Sequence, residues 1–224
     1  MSQRIQHLKT EWEDRGHRLG LTQRAVLFKR FPRWLNDFIH RQHVRFVLQH
    51  IPAGATQSLD VGCGYGRISQ AIKHVYPQIL CCGIDLCDTF ASAYQREIGP
   101  CFCGAIQDFQ SEVLYDAIIV ITLLMYLEAD EQEDQLRRLW DLLRPGGRLI
   151  CIEPAVEFIR LWQLITRQES ASPTGGEICY FSRPELCAKF QHLEGASIAD
   201  HRAIRMMTFF PAMTLHHGLM VQKA

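Results

Sequence analysis

From residue 57 onward, short apolar runs alternate with segments whose apolar positions recur at helical spacing. The runs lie at 57–61, 79–84, 101–106, 115–121 and 147–153, with helix-like segments at 66–75, 89–97 and 131–143. Nearly continuous apolar runs of this length read as strands buried on both faces. In the third helical segment Leu136, Leu139, Trp140 and Leu143 share one face. Asp130 and Glu133 have the spacing of a capping box, and Pro145-Gly146-Gly147 is expected to stop that helix. Strands alternating with helices predict a parallel sheet covered on both faces.

The two ends of the chain follow other patterns. Residues 21–51 read as helix, broken near Phe31-Pro32 because proline lacks a donor and disfavours helix at the preceding residue. Near the other end, Ser182-Arg183-Pro184-Glu185 has capping-box spacing and predicts a helix running to about His192. Strand-like stretches at 197–207 and 213–221 close the chain, with Phe210-Pro211-Ala212 between them. Residues 154–182 are too long for a simple connection, and long connections above a sheet often build binding sites.

Length and composition narrow the function. The 224 residues, 47% apolar, suit one α/β domain with no room for a second. Twenty-four basic residues balance twenty-four acidic ones, so no overall field draws the chain to nucleic acid or an anionic membrane. The charge is uneven locally: residues 1–50 carry ten Lys/Arg against four Asp/Glu, and residues 107–141 carry nine acids against two arginines. The longest apolar run, Ala117 to Leu127, is far short of a membrane span, and residues 1–20 lack the apolar core of a signal peptide. A cytoplasmic protein with reduced thiols is the expectation for its nine cysteines. Cys81, Cys82, Cys87, Cys101 and Cys103 crowd together, but as CC and CxC pairs within apolar runs rather than spaced CxxC pairs. They read as small buried hydrophobes, with no metal expected.

The most informative segment is Asp60-Val61-Gly62-Cys63-Gly64-Tyr65-Gly66-Arg67. A strand delivers the chain to three glycines and a helix begins behind them, so the loop backbone and the helix N-terminus can approach a ligand closely. Nineteen residues past Gly66, Gly83-Ile84-Asp85-Leu86 ends the second strand with a carboxylate able to accept hydrogen bonds from both ribose hydroxyls of an adenosine group. The G-x-G-x-G spacing differs from the G-x-G-x-x-G of dinucleotide sites and from the GxxxxGK[ST] of phosphate loops.

DVGCGYGR followed by GIDL resembles motif I and the acidic motif of class I S-adenosylmethionine-dependent methyltransferases. Ala105–Phe109, Tyr115–Val120 and Leu143–Gly147 fall in that family's order, so the resemblance covers residues 57–153. It implies a Rossmann-like, doubly wound, seven-stranded, mostly parallel sheet with an antiparallel last strand, in a three-layer α/β/α arrangement. The domain would divide into an N-terminal helical lid (1–56), a cofactor-binding core (57–153), a substrate-side insertion (154–182) and a terminal helix and hairpin (183–224). S-adenosyl-L-methionine would be the cofactor. Gly62, Gly64 and Gly66 would lie against it, Asp85 would hold the ribose, and Leu86, Ile106 and Gln107 would flank adenine. Arg67 and Thr122 would reach the methionine end.

The resemblance implies in-line displacement from the sulfonium methyl group, a reaction served mainly by alignment and water exclusion. Base-amine methyltransferases carry an [NDS]PP[YF] signature after the fourth strand; here that place reads Ile121-Thr122-Leu123-Leu124-Met125-Tyr126. Nucleic acid and membrane are therefore not expected partners. Cys101–Phe109 and Gln135–Arg138 look like stretches of protein N-terminal α-amine methyltransferases, and Glu153 and Tyr126 fall where that family places a base and a substrate-lining histidine. That family's tryptophan-rich amino-terminal segment is missing, whereas residues 24–48 look like bacterial methyltransferases of small metabolites. The expectation is thus methyl transfer to N or O of a small molecule, by a monomer or homodimer. A peptide N-terminus and a non-catalytic cofactor-binding role are the alternatives. Glu153, at the end of the fifth strand, is the candidate base. Tyr126, Trp34, Trp162, Tyr180 and His217 are candidate substrate contacts. Phe31 and Phe38 are candidate lid residues, and Met206, Phe209 and Phe210 candidate walls of an apolar pocket.

Overall fold

The computed structural model describes residues 3–28, 31–166, 178–206 and 211–224. Three helices precede the sheet: α1 (Gln3–Leu19), α2 (Gln23–Val26) and α3 (Arg33–His50). The break between α2 and α3 falls where Pro32 predicts it, with Pro32 extended and capping α3. The alternating region then builds β1 (Gln57–Val61), α4 (Arg67–Val75), β2 (Leu80–Asp85), α5 (Asp88–Glu97), β3 (Cys101–Cys103), β4 (Tyr115–Ile121), α6 (Ala129–Asp141) and β5 (Leu143–Pro154). It ends with α7 (Val156–Thr166), α8 (Arg183–Ala188), β6 (Ala196–Arg205) and β7 (Thr214–Lys223).

The seven strands form one sheet in the order β3-β2-β1-β4-β5-β7-β6. β1 to β5 run parallel, and β7 is antiparallel to both its neighbours. Because successive strand side chains point to opposite faces, β4 and β5 split their apolar residues between two cores. Ile119, Ile121, Ile150 and Ile152 pack with Phe46 and Val47 of α3, Ile68 and Ile72 of α4, and Ala91 and Tyr94 of α5. Ile118, Val120, Leu149 and Cys151 pack with Leu136, Leu139 and Trp140 of α6 and with Leu186 of α8. Each fully buried Ile, Leu or Phe side chain contributes about 1.5–3 kcal/mol. A sheet buried on both faces is why these strands show no polar alternation.

Three local readings shift. The cap of α6 is Glu128, whose backbone N–H donates to Glu131 at 3.0 Å, so the capping pair lies two residues before Asp130 and Glu133. α6 ends at Asp141, and Pro145-Gly146-Gly147 falls inside β5, at an irregularity in its pairing with β4 that Gly146 accommodates at φ +75°. The Ser182–Glu185 box does form, with Ser182 N–H donating to Glu185 at 2.7 Å, but α8 closes at Ala188. Beyond it, Phe190 and Leu193 bond to carbonyls three residues back, and the chain tightens into turns instead of reaching His192 as helix.

Candidate functional site

The carboxyl ends of β1, β2, β4 and β5 share one edge of the sheet, and the glycine loop leaves β1 there. Gly62 and Cys63 donate their N–H groups to the carbonyl of Ile84 at 2.8 and 3.0 Å, which folds the loop back over β2. Gly66, at φ +88°, must be glycine: a Cβ there would lie 1.9 Å from Ile98 and 2.9 Å from Tyr94. Its demand comes from packing of α4 on α5. Gly64 is also left-handed at φ +55°, and its missing Cβ leaves room for Val26 of α2.

Asp85 ties this loop to the next helix. One carboxylate oxygen accepts Gly64 N–H at 2.7 Å and the other accepts Cys87 N–H at 2.9 Å. Burial pushes its pKa up to about 6 even though both amides favour the charged form. Gly62, Gly64, Asp85, Leu86 and Thr122 line a cavity of about 100 Å³. Of the residues assigned to the cofactor by motif, these five converge. Gly66 and Arg67 stand behind the loop, packed among α3, α4 and α5. Ile106 and Gln107 occupy a 3-10 turn after β3 and are not among the lining residues.

The opposite wall comes from α1, a helix the sequence reading left without a site residue. Leu8 and Trp12 line the cavity, and the Trp12 ring meets Tyr126 edge-on at 5.6 Å. α1 is pinned across the cavity at both ends. Arg4 bonds Glu131 and the carbonyl of Tyr126, and Lys9 pairs with Asp88 at 3.2 Å. Glu13 accepts from Asp88 N–H and from the Thr89 hydroxyl. Burial alone would raise the Glu13 pKa, but these bonds at the α5 N-terminus hold it below the usual value. The signal for α1 was present: Ile5, Leu8, Trp12 and Leu19 recur at helical spacing.

At the end of β4, Thr122 adopts φ +53°, a left-handed conformation rarely taken by a β-branched residue. The turn behind it rests on Glu153. One Glu153 oxygen accepts Leu123 and Leu124 N–H, each at 2.9 Å, and the other faces Met125 N–H at 3.4 Å. Glu153 is fully buried and is not among the cavity-lining residues. Burial, only partly offset by the three amides, pushes its pKa up to about 8.

The expected substrate contacts scatter. Tyr126 lines the cavity. Trp34 is 60% exposed on α3, whereas Trp162 stacks with Phe158 and meets Phe31 at 5.6 Å. Phe31 is buried in that same satellite core, and Phe38 and Met206 pack at its margin. Tyr180 is half-buried between this core and the larger one on the α6 side. His217 bonds both oxygens of Glu157 at 3.2 Å and His201 at 3.2 Å, while His216 points to the opposite face. Phe209, Phe210 and much of the 154–182 insertion lie outside the described residues. Among the described residues no His, Cys, Asp and Glu cluster is arranged to hold a metal ion, and all nine cysteines are free.

Residues 59–149 match a family model described as a methyltransferase domain. A malonyl-[acyl-carrier protein] O-methyltransferase from Hahella chejuensis is 29% identical over 98 residues, which is 42% of this chain and 34% of that protein. The chain thus matches about a third of the length of that relative. The fold is shared with magnesium protoporphyrin IX methyltransferase (ChlM) from Synechocystis PCC 6803 with S-adenosylmethionine bound, at TM-score 0.69 and 14% identity over 100% of this chain and 99% of the other. It is also shared with the N-methyltransferase NodS from Bradyrhizobium japonicum WM9 bound to S-adenosylhomocysteine, at TM-score 0.66 and 15% identity over 95% and 97% of the two chains.

Proposed function

We propose that the chain is a class I S-adenosylmethionine-dependent methyltransferase and that it methylates a nitrogen or oxygen of a small, partly apolar molecule. The observation that carries this reading is the convergence of Asp85, the glycine loop and Thr122 on one cavity roofed by α1. The site suits the cofactor chemically. Asp85 presents carboxylate oxygens beside the loop, where each ribose hydroxyl would gain a charge-assisted bond of roughly 1.5–3 kcal/mol. Leu86, Phe90 and Leu127 supply apolar walls for an adenine ring.

S-adenosylmethionine supplies an activated sulfonium methyl group, so the protein's task is alignment and exclusion of water. Glu153 acts in this reading as a positioning residue: it holds the Leu123–Met125 amides and thereby sets Thr122 at the mouth of β4. With α1 seated, the cavity is smaller than the roughly 300–1,000 Å³ of typical ligand pockets. Admission of cofactor therefore requires Trp12 and Leu8 to move outward, and their return would shield the reacting centre. The aromatic group of Phe31, Phe158 and Trp162 lies next to α3 and provides an apolar flank for the acceptor. The test is incubation with methyl-labelled S-adenosylmethionine and separate pools of small amines, carboxylic acids, phenols and peptides, read by mass spectrometry. Label in small molecules supports the proposal; label confined to peptide N-termini replaces the acceptor class, and tight cofactor binding with no label in any pool replaces the activity.

A further inference from the structure

Helix α3 carries two apolar stripes. One, with Ile39, Phe46 and Val47 buried, faces the interior of the protein. The other comprises Val44 and Leu48, one turn apart and only half-buried at the margin of the core. α4 runs alongside: Arg67 meets His40 at 3.2 Å towards one end, and the Tyr76 hydroxyl donates to the Leu48 carbonyl at 3.3 Å towards the other. The two helices therefore lie side by side and point the same way. They enclose a groove of about 670 Å³ whose apolar lining includes Val44, Leu48, Ala71 and Tyr76. Val75, one turn past Ala71, is 48% exposed and continues that apolar surface. The α3 side of the groove extends from His40 to Ile51, about 16 Å or three helical turns.

The charge around this groove is one-sided. None of its nine lining residues is acidic, and Arg41 and Arg45 stand exposed along it, four residues apart on one helix face. Among the described residues neither arginine forms an ion pair. Asp37, one turn before Arg41, and Asp200, bonded to His50 at 2.9 Å, both lie outside the lining. Like charges at this spacing oppose each other, and carboxylates brought against them relieve the repulsion. A second copy is a poor occupant. A two-fold pair would set these arginines against themselves. The chain's own acidic helix, α6, exposes Asp130, Glu133 and Asp134 but buries Leu136, Leu139 and Trp140 in its own core. An occupant that satisfies the groove brings acidic and apolar residues together on one three-turn helix.

We propose that the α3–α4 groove docks an acidic amphipathic helix of a partner protein, with aliphatic side chains against Val44, Leu48 and Tyr76 and carboxylates against Arg41 and Arg45. The groove shares no lining residue with the cavity of Asp85 and the glycine loop, so the proposal stands apart from the methyl-transfer reading. Fluorescence anisotropy of a labelled, stapled helical peptide of about twelve residues tests it, with Leu on one face and Glu at i, i+4 beside it. Two companion peptides replace Glu by Lys or Leu by Ser. Wild-type protein should bind the Glu peptide, less tightly as salt rises, and bind the Ser version about tenfold more weakly. Arg41→Glu with Arg45→Glu should lose the Glu peptide about tenfold or more and gain the Lys peptide, at unchanged Tm. Arg41→Gln with Arg45→Gln gives an intermediate loss and keeps the test open if the reversed pair folds poorly. Arg137→Glu with Arg138→Glu, exposed on α6, should change nothing. No binding of the Glu peptide, equal binding of the Ser version, or equal loss in the α6 variant overturns the docking site. Tighter binding of a DNA duplex or of phosphatidylglycerol vesicles that depends on Arg41 and Arg45 replaces the partner helix by that surface. Self-association in sedimentation that the Arg41→Glu, Arg45→Glu pair abolishes replaces it by a second copy.

Discussion

Asp85 and Glu153 are two buried carboxylates at the carboxyl ends of two strands, β2 and β5, and both gather backbone amides. Asp85 spends one amide on each oxygen and keeps its place on the cavity wall. Glu153 takes two amides on one oxygen, faces a third with the other, and is absent from that wall. The difference is one of remaining hydrogen-bonding capacity: the first carboxylate has lone pairs left for a ligand, and the second is committed to a turn. In a sequence the two look alike, each an acid closing an apolar run.

The comparison is broken most severely by removing the turn's anchor. Glu153→Leu leaves the Leu123 and Leu124 amides without their acceptor, at a cost of about 1–3 kcal/mol for each buried group. Total destabilisation of about 3 kcal/mol would lower Tm by roughly 6–12 °C in a chain of this length. Calorimetric unfolding that shows no change would mean the turn does not depend on Glu153. Asp85→Ala has the next largest effect, here on binding: cofactor affinity should fall about 10- to 100-fold, as expected for losing charge-assisted bonds to ribose. Unchanged affinity in titration calorimetry would remove Asp85 from the cofactor site.

A gentler contrast uses pH. Glu153 has a folded pKa near 8 against an ordinary value of 4.5. Between these values the folded state keeps a proton that the unfolded chain releases. The stability this provides is complete below the ordinary carboxylate range and is lost as pH rises through about 8. The slope from this group approaches about 1.4 kcal/mol per pH unit inside the window. Glu153→Gln removes that proton uptake while keeping a carbonyl oxygen for the turn, so its stability should vary less from pH 5 to pH 8. Denaturant midpoints that fall equally in both proteins would show that Glu153 is ionised in the folded state. The variant should also retain cofactor binding, whereas complete loss of binding would make Glu153 more than a support for the turn.

Much of the cofactor half of the molecule was legible, because glycine spacing and strand-terminal acids are local properties. The motif order points to Gly62, Gly64, Asp85, Leu86 and Thr122, which line one cavity, and eight of the ten boundaries of β1 to β5 fall within one residue of the apolar runs. Arg67 could be numbered but not placed: its partners, His40 and His43, lie 27 and 24 residues earlier on α3, and no local pattern announces that pairing. The hydrogen-bond partners of Glu153 were hidden for the same reason, since it accepts from amides some thirty residues earlier in the chain. α1 was passed over because its apolar residues are few and its helix is held by polar contacts from Arg4, Lys9 and Glu13 to α5 and α6.

The smallest effects distinguish two tryptophans that the sequence presents on equal terms. Trp12 lines the cavity and leans on Tyr126, so Trp12→Ala should raise the cofactor dissociation rate several-fold in stopped-flow displacement, with little change in fold. Trp34 projects from α3 with 60% of its surface exposed, and truncation there removes little buried area. Surface substitutions of this kind usually stay within about 0.5 kcal/mol, so Trp34→Ala should leave cofactor affinity and Tm near wild type. If Trp34→Ala instead slows turnover with a saturating acceptor while cofactor affinity holds, the exposed ring would have to fold over the acceptor during the cycle. The lid would then comprise α3 as well as α1. Equal behaviour of the two variants in cofactor release would remove α1's separate role as the roof, because only Trp12 touches the cavity that Asp85 and the glycine loop define.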